Sequence, residues 1–204
     1  QAFLTALRSA SVEIRTSGTP DVAVVTGSRL IDPSATGDLC GRGVPHLLAW
    51  VEEVDACIGP LVEPGENACA GCVHEARCEA DPAWVNLAPQ AVFAKPIVAP
   101  TNVRNLACDL AVRCILGFLA GEGNSLREVQ WRVPRGTAAP RQVAVVAHPA
   151  CPCSAHSLLL GKIDKADGES DFEEGPAPNA SGASTAGTRP GHDPEDLLPP
   201  FGQF

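Results

Sequence analysis

The sequence predicts an α/β fold, and three observations support this prediction. The run at 22–25 is short, β-branched and continuously apolar, which is typical of a parallel strand covered on both faces. Two further apolar runs, at 44–50 and 57–62, are joined by residues 52–55 as in a β-hairpin. Between Val103 and Phe118 the apolar residues recur at helical spacing, which predicts a long helix packed on the sheet.

The elements before the hairpin follow from shorter signals. Phe3, Leu4 and Leu7 are typical of the last turns of a helix, and alternation of Val12 and Ile14 predicts a strand after it. Asp32-Pro33 predicts the start of a short helix, because the aspartate can cap it and proline needs no N–H partner there.

The glycines mark where the helices end. Gly41 and Gly43 are expected to end the short helix, and Gly121 and Gly123 the long one. The runs at 129–133 and 143–146 then predict two final strands around a loop rich in glycine and proline.

The charge distribution divides the chain into a body, 1–160, and a tail, 161–204. The tail holds nine acidic residues against three basic ones, and it contains few large apolar side chains. We expect it to be disordered, because it cannot offset the entropy cost of ordering. The segment 197–201, Leu-Leu-Pro-Pro-Phe, could serve as a short docking motif.

Composition excludes several classes of partner. The net charge of -9 and the lack of a basic cluster argue against nucleic-acid binding. No apolar run approaches the length of a membrane span, and the first residues do not resemble a secretion signal. The nine cysteines are an odd number in a domain of ordinary size, so we expect a cytoplasmic protein with reduced thiols and a metal site.

Two short cysteine pairs predict a structural zinc site. Cys69 and Cys72 are separated by Ala-Gly, which suits a tight knuckle, and Cys151 and Cys153 form a second pair stiffened by Pro152. Zn²⁺ favours four tetrahedral thiolates supplied by two such pairs. Three alternatives stay open: substitution of a ligand by another residue, a redox-active Cys69/Cys72 pair, or ordinary buried thiols. The substitute ligands considered are Cys78, His74 and His148.

The remaining cysteines and histidines give no comparable signal. Cys108 and Cys114 fall within the predicted long helix, where cysteine acts as a small apolar residue. Cys40 and Cys57 suggest no partner, and we expect lone His46 to be structural or exposed.

Known catalytic patterns are missing from the sequence. Neither form of glycine-rich phosphate loop occurs, and Ser154 beside His156 is weak support for a triad, because triad residues are rarely neighbours in sequence. We therefore expect no catalysis by this chain alone. Since it starts at Gln1 and contains no methionine, we also expect further sequence upstream.

Several segments in order resemble one protein family. They are Ile58-Gly59-Pro60-Leu61-Val62-Glu63-Pro64-Gly65, the first cysteine pair, Asp81-Pro82-Ala83-Trp84, and His148-Pro149-Ala150-Cys151-Pro152-Cys153. Together they resemble the ThiF-like proteins that are cyclodehydratase partners, or leader-peptide-binding proteins, in azole-forming (TOMM) bacteriocin-type clusters. The resemblance covers roughly residues 10–155.

The resemblance implies a fold, a cofactor and partners. The fold would be a degenerate Rossmann-like domain of the ThiF/MoeB type, with a mixed sheet and a Zn²⁺ ion on Cys69, Cys72, Cys151 and Cys153. The protein would bind the leader of a ribosomal precursor peptide and present it to a YcaO-type protein, which uses ATP to form azoline rings. It could also form a homodimer. Residues 81–84 would begin a helix, with Trp84 a packing anchor.

The chain departs from the family pattern in two respects, which leave other functions open. The winged-helix module that grips the leader would precede Gln1, and the glycine loop of the adenylating relatives does not occur in the sequence. One alternative is a ThiF/MoeB-like adenylyltransferase whose ATP-binding half lies outside this chain. Another is a zinc-stabilised domain for protein interaction.

Overall fold

The structure is a computed structural model, which describes residues 2–15, 18–136 and 139–153. The predicted tail, its segment 197–201 and the Ser154/His156 pair lie outside the described residues. Within the ranges that the structure describes, five strands form one mixed sheet in the order β1-β2-β3-β4-β5. Their bounds are β1 Ala23–Ser28, β2 His46–Val51, β3 Asp55–Val62, β4 Val129–Pro134 and β5 Arg141–Ala144.

Five α-helices accompany the sheet in the described residues. They are α1 Ala2–Ser9, α2 Gly37–Gly41, α3 Ala70–Ala80, α4 Trp84–Phe93 and α5 Thr101–Leu119. A 3₁₀ turn, Pro33–Thr36, precedes α2, and the side chain of Asp32 accepts a hydrogen bond from the backbone N–H of Ser34 as its cap. The α/β fold class is therefore confirmed, with a 3₁₀ turn where the sequence predicted an α-helical start.

Strand β1 pairs parallel to β2, and every later pair is antiparallel. A parallel pair needs a crossover connection, which the 3₁₀ turn and α2 provide. The predicted hairpin is confirmed, because β2 and β3 are antiparallel neighbours joined at 52–54. All eight residues of β3 are buried, so this strand lies at the centre of the fold.

Two apolar clusters cover the two faces of the sheet. Leu47 belongs to one cluster, together with residues of α1 and α5, whereas Leu48 belongs to the other, with residues of α3. Both leucines are fully buried, and each contributes about 2–3 kcal/mol of apolar transfer free energy. The second cluster contains three of the four cysteines predicted as metal ligands, so the candidate site is part of the core on that face.

Two predicted strands differ from the structure. Val12 and Ile14 lie in chain without regular secondary structure, which pairs with no strand among the described residues, so the strand predicted there is wrong. Both side chains pack against the core cluster, and their alternation therefore reflects burial without sheet pairing. Strand β5 ends at Ala144, so Val145 and Val146 lie beyond it.

Three helix signals are confirmed. Helix α5 begins at Thr101 and ends at Leu119, and Gly121 and Gly123 follow with positive φ. Asp81 accepts a hydrogen bond from the N–H of Ala83 just before α4 begins at Trp84.

No helix in the described ranges is both long and apolar enough to cross a bilayer.

Candidate metal centre

The first cysteine pair lies at the start of α3, after the end of β3. Asn67 holds the intervening turn: its carboxamide oxygen accepts from the N–H of Glu63, and its NH₂ group donates to the carbonyls of Leu61 and Arg127. Cys69 is the N-cap residue of α3, and Cys72 lies in its first turn. The turn thus places both sulfur atoms at the N-terminus of α3.

The second pair follows β5. The N–H of Val145 donates to the carbonyl of Glu128 at 2.8 Å, which continues the chain alongside the residues before β4. The N–H of Cys151 then donates to the carbonyl of His148 at 3.0 Å and closes a turn. This turn brings Cys151 and Cys153 over the first turn of α3.

The structure brings the four predicted ligands together. The Sγ atom of Cys69 lies 3.9 Å from that of Cys72 and 3.6 Å from that of Cys151. The Sγ atoms of Cys72 and Cys153 are 3.4 Å apart, and all four sulfurs lie within 4.8 Å of one another. Four thiolates arranged tetrahedrally at about 2.3 Å from Zn²⁺ would be separated by about 3.8 Å. The sulfur cluster therefore has a size that can hold a metal ion.

The surroundings favour a negatively charged sulfur at Cys72. The pKa of Cys72 is lowered, chiefly because the thiol of Cys69 donates a hydrogen bond to it, and the backbone N–H of His148 also donates to it. The pKa of Cys69 is raised for the reciprocal reason, and burial raises that of Cys151. Backbone N–H groups of Cys72 and Cys153 oppose these two increases by donating to the sulfurs of Cys69 and Cys151.

The four sulfurs need a cation if all of them are to carry a negative charge. Four sulfurs at these distances cannot all ionise, because like charges within a few ångströms repel strongly. A bound divalent cation removes that repulsion and keeps coordinating thiols deprotonated. The backbone donors and the sulfur spacing thus fit a metal ion held by four thiolates.

The substitute ligands considered from the sequence lie outside the cluster. The Nε2 atom of His148 contacts Glu79 at 3.2 Å, and its Nδ1 atom accepts from the N–H of Ala150. Cys78 and His74 contact each other at 3.5 Å on α3. Within the described ranges, the four predicted cysteines are the one group of three or more potential ligands close enough to share an ion.

A redox-active Cys69/Cys72 pair is the second alternative considered from the sequence. A redox pair normally opens a helix after a strand. The pair does open helix α3, after strand β3 and a turn. The proximity of Cys151 and Cys153 is what favours metal binding over a disulfide pair at this position.

Sequence reasoning missed a buried charge cluster that fixes α3 against the sheet. Glu52, which is 7% exposed, accepts hydrogen bonds from the Trp50 indole at 3.0 Å and from Arg77 at 3.0 Å. Arg132 adds a third contact at 3.2 Å. Arg77 also stacks on the Trp84 ring, 3.6 Å from its centroid, so this arginine links α3 to α4 and to the residue that follows β2. Only the fold brings these residues together, and no local sequence signal marks them.

The other cysteines lie outside the four-sulfur group. Cys57 and Cys108 are buried and Cys114 is partly buried, in agreement with a packing role. Cys40 borders the candidate site: with Cys69 and Cys153 it lines a cavity of about 280 Å³. His46 is fully buried, and its Nδ1 atom lies 2.9 Å from the Val44 carbonyl.

Comparison with known proteins gives structural likeness only. No family model matches the sequence, and no curated protein matches it. A heterocyclase in complex with substrate and cofactor is similar with a TM-score of 0.60 and 14% identity, over 79% of this chain and 24% of that chain. The heterocyclase TruD gives a TM-score of 0.53 and 19% identity, over 79% and 26% of the respective chains.

A third similar structure is E. coli MccB with AMPCPP and MccA, at a TM-score of 0.51 and 17% identity, over 67% of this chain and 40% of that chain. This chain therefore spans between about a quarter and two fifths of the length of these proteins. At such low identities the likeness concerns the fold. The chain has an α/β fold of the kind found in MccB and in the two heterocyclases.

Proposed function

We propose that this chain is a zinc-bearing recognition or scaffold component that presents a ribosomal precursor peptide to a YcaO-type cyclodehydratase for azoline formation. The observation that carries the proposal is the four-cysteine cluster within a fold shared with two heterocyclases. One of those heterocyclases was solved with substrate and cofactor bound. The chain would act in the cytoplasm as an accessory component, without bond-making chemistry of its own.

The proposed zinc ion has a structural role. Cys69 and Cys72 at the start of α3, and Cys151 and Cys153 after β5, would supply all four ligands. Structural zinc sites are closed by four protein ligands, whereas catalytic sites keep a position open for water or substrate. Zinc would supply a crosslink between two distant chain segments and would fix α3 relative to the end of the sheet.

Reconstitution tests the function. Precursor peptide and the YcaO-type protein are combined with ATP, with and without the protein that carries this chain, and ring formation is followed by mass spectrometry as loss of one water per ring. We expect rings to form faster when the protein is present. Equal heterocyclisation in its absence would refute the proposal. A precursor whose leader segment is scrambled controls for nonspecific binding.

A specific observation also favours a second candidate. MccB, which has a similar fold, was solved with the nucleotide AMPCPP. The alternative is therefore a ThiF/MoeB-like adenylyltransferase to which this chain contributes one part. ATP–pyrophosphate exchange in the presence of the precursor peptide separates the two candidates, because an accessory component catalyses no exchange on its own.

A further inference from the structure

Gly71, which lies between the two cysteines of the first knuckle, directly contacts the second pair. A β-carbon placed on Gly71 would lie 2.8 Å from the Sγ atom of Cys151 and 3.4 Å from that of Cys69. Nonbonded carbon atoms already prefer about 3.5–4.0 Å, and sulfur is the larger atom. Any side chain at position 71 would therefore displace the Cys151 sulfur.

Backbone conformation does not account for a glycine at this position. Gly71 is the second residue of α3, and it is not among the glycines with positive φ. In an ordinary helix, alanine is favoured over glycine. The requirement for glycine is therefore one of space next to Cys151.

Several contacts hold the side chain of Cys151 in place. Its side chain is buried, its sulfur lies 3.6 Å from that of Cys69, and the backbone N–H of Cys153 donates to it. This sulfur spacing is close to the edge of about 3.8 Å expected for a zinc tetrathiolate. Moving the Cys151 sulfur away from Gly71 would change the spacing of the four sulfurs.

We infer that Gly71 is a positioning residue of the metal centre. Because it has no side chain, the Cys151 sulfur can lie next to the turn that carries Cys69 and Cys72, and the four sulfurs are spaced as a zinc ion requires. This inference rests on the proposed zinc site. It adds that the selectivity of the site depends on a residue that donates no ligand. An ion larger than Zn²⁺, such as Cd²⁺, would tolerate a side chain at position 71 better than zinc does.

Metal titration of the Gly71→Ala variant tests the inference. We expect its affinity for Zn²⁺ to fall by about 10- to 100-fold, the range found when residues that support metal ligands are replaced, and its affinity for Cd²⁺ to fall less. Co²⁺ spectra should show weaker tetrahedral thiolate bands. Gly37→Ala is the matched control, because Gly37 is also helical and has open space at the β-carbon position.

A double-mutant cycle isolates the steric contact. In metal-free protein, Gly71→Ala should lower the free energy of unfolding, measured with urea, when Cys151 is present. In a Cys151→Ala background the opposing sulfur is gone, so the same substitution should cause no such loss. An equal loss in both backgrounds would overturn the inference. If Gly71→Ala alone prevents folding, recovery of the circular dichroism spectrum in the Cys151→Ala background supports the contact, and continued failure overturns it.

Failure of the zinc site and failure of the role of Gly71 give different experimental results. Wild-type protein that binds no metal would refute the zinc site itself, and with it the role of Gly71. Wild-type protein that binds zinc while Gly71→Ala binds it equally well would refute only the role of Gly71.

Discussion

The Sγ atoms of Cys72 and Cys153 lie 3.4 Å apart, although 81 residues separate them in the sequence. The intervening chain contains α4, α5, β4 and β5. The contact therefore joins the start of α3 to the residues that follow β5. Any ion bound there would stabilise the whole arrangement, because it can bind all four sulfurs only in the folded state.

Replacing one ligand should abolish metal binding and lower stability. For Cys151→Ser we expect loss of the bound metal by elemental analysis. We also expect a loss of about 4 kcal/mol in the free energy of unfolding when zinc is present at a thousand times its dissociation constant. Urea denaturation measures the difference. Cys78→Ser is the control, because Cys78 lies on the same helix outside the sulfur cluster. Metal loss in the control would identify Cys78 as a ligand instead.

The Glu52→Ala substitution should destabilise the fold strongly. It leaves Arg77, Arg132 and the Trp50 indole without their shared acceptor. Breaking a buried ion pair typically costs 3–5 kcal/mol, and both arginines are partly exposed, so we expect about 2–3 kcal/mol by chemical denaturation. The pair of Glu13 with Arg15 is exposed and screened by solvent, so Glu13→Ala should leave stability nearly unchanged. Similar effects of the two substitutions would contradict a central role for Glu52.

Asn67→Ala should lower stability without removing the metal ligands. The substitution deletes two donors and one acceptor of the turn before α3 and leaves the N–H of Glu63 without its partner. Loss of hydrogen bonds to buried groups costs about 1–3 kcal/mol. Thermal unfolding should therefore begin at lower temperature, while saturated protein still binds one equivalent of zinc. A variant of unchanged stability would show that the turn forms without Asn67.

His46 should make stability depend on pH. Burial lowers the pKa of His46 below its ordinary value of about 6.5, so the unfolded state binds a proton more readily than the folded state. Above pH 6.5, His46 is mainly neutral in both states and does not lower the free energy of unfolding. As the pH falls from about 6.5 towards the lower folded-state pKa, the free energy of unfolding decreases.

The His46→Gln variant tests this effect, because glutamine does not titrate. The difference in unfolding free energy between wild type and variant, measured at equal zinc saturation from pH 8 to pH 5, should change in this interval. A constant difference would show that His46 does not contribute to the pH dependence.

Strong local periodicity made much of the fold predictable. The long helix and the central hairpin are marked by apolar spacing, and both occur in the structure close to their predicted positions. Helix α3 was missed because Ala70–Ala80 carries little apolar periodicity: Val73 and the cysteines are its main apolar residues beside alanine. Contacts with distant parts of the chain, such as Arg77 with Glu52, hold this helix instead.

The candidate site was predictable only in part. The spacing of each cysteine pair identified the four residues, because short spacing lets two sulfurs point in one direction. The contact of Gly71 with Cys151 and the convergence of Glu52, Arg77 and Arg132 depend on tertiary packing. A single sequence carries no local signal for such long-range contacts.

The wide separation of the two cysteine pairs has a consequence for biosynthesis. As the chain leaves the ribosome, Cys69 and Cys72 emerge well before β4, β5 and the second pair have been translated. At that stage an ion would find only two thiolates on a nascent helix, and its capture could not guide the first folding steps. Metal binding would then follow completion of the sheet. Only in chains whose strand β5 has joined the others could an ion bind all four sulfurs.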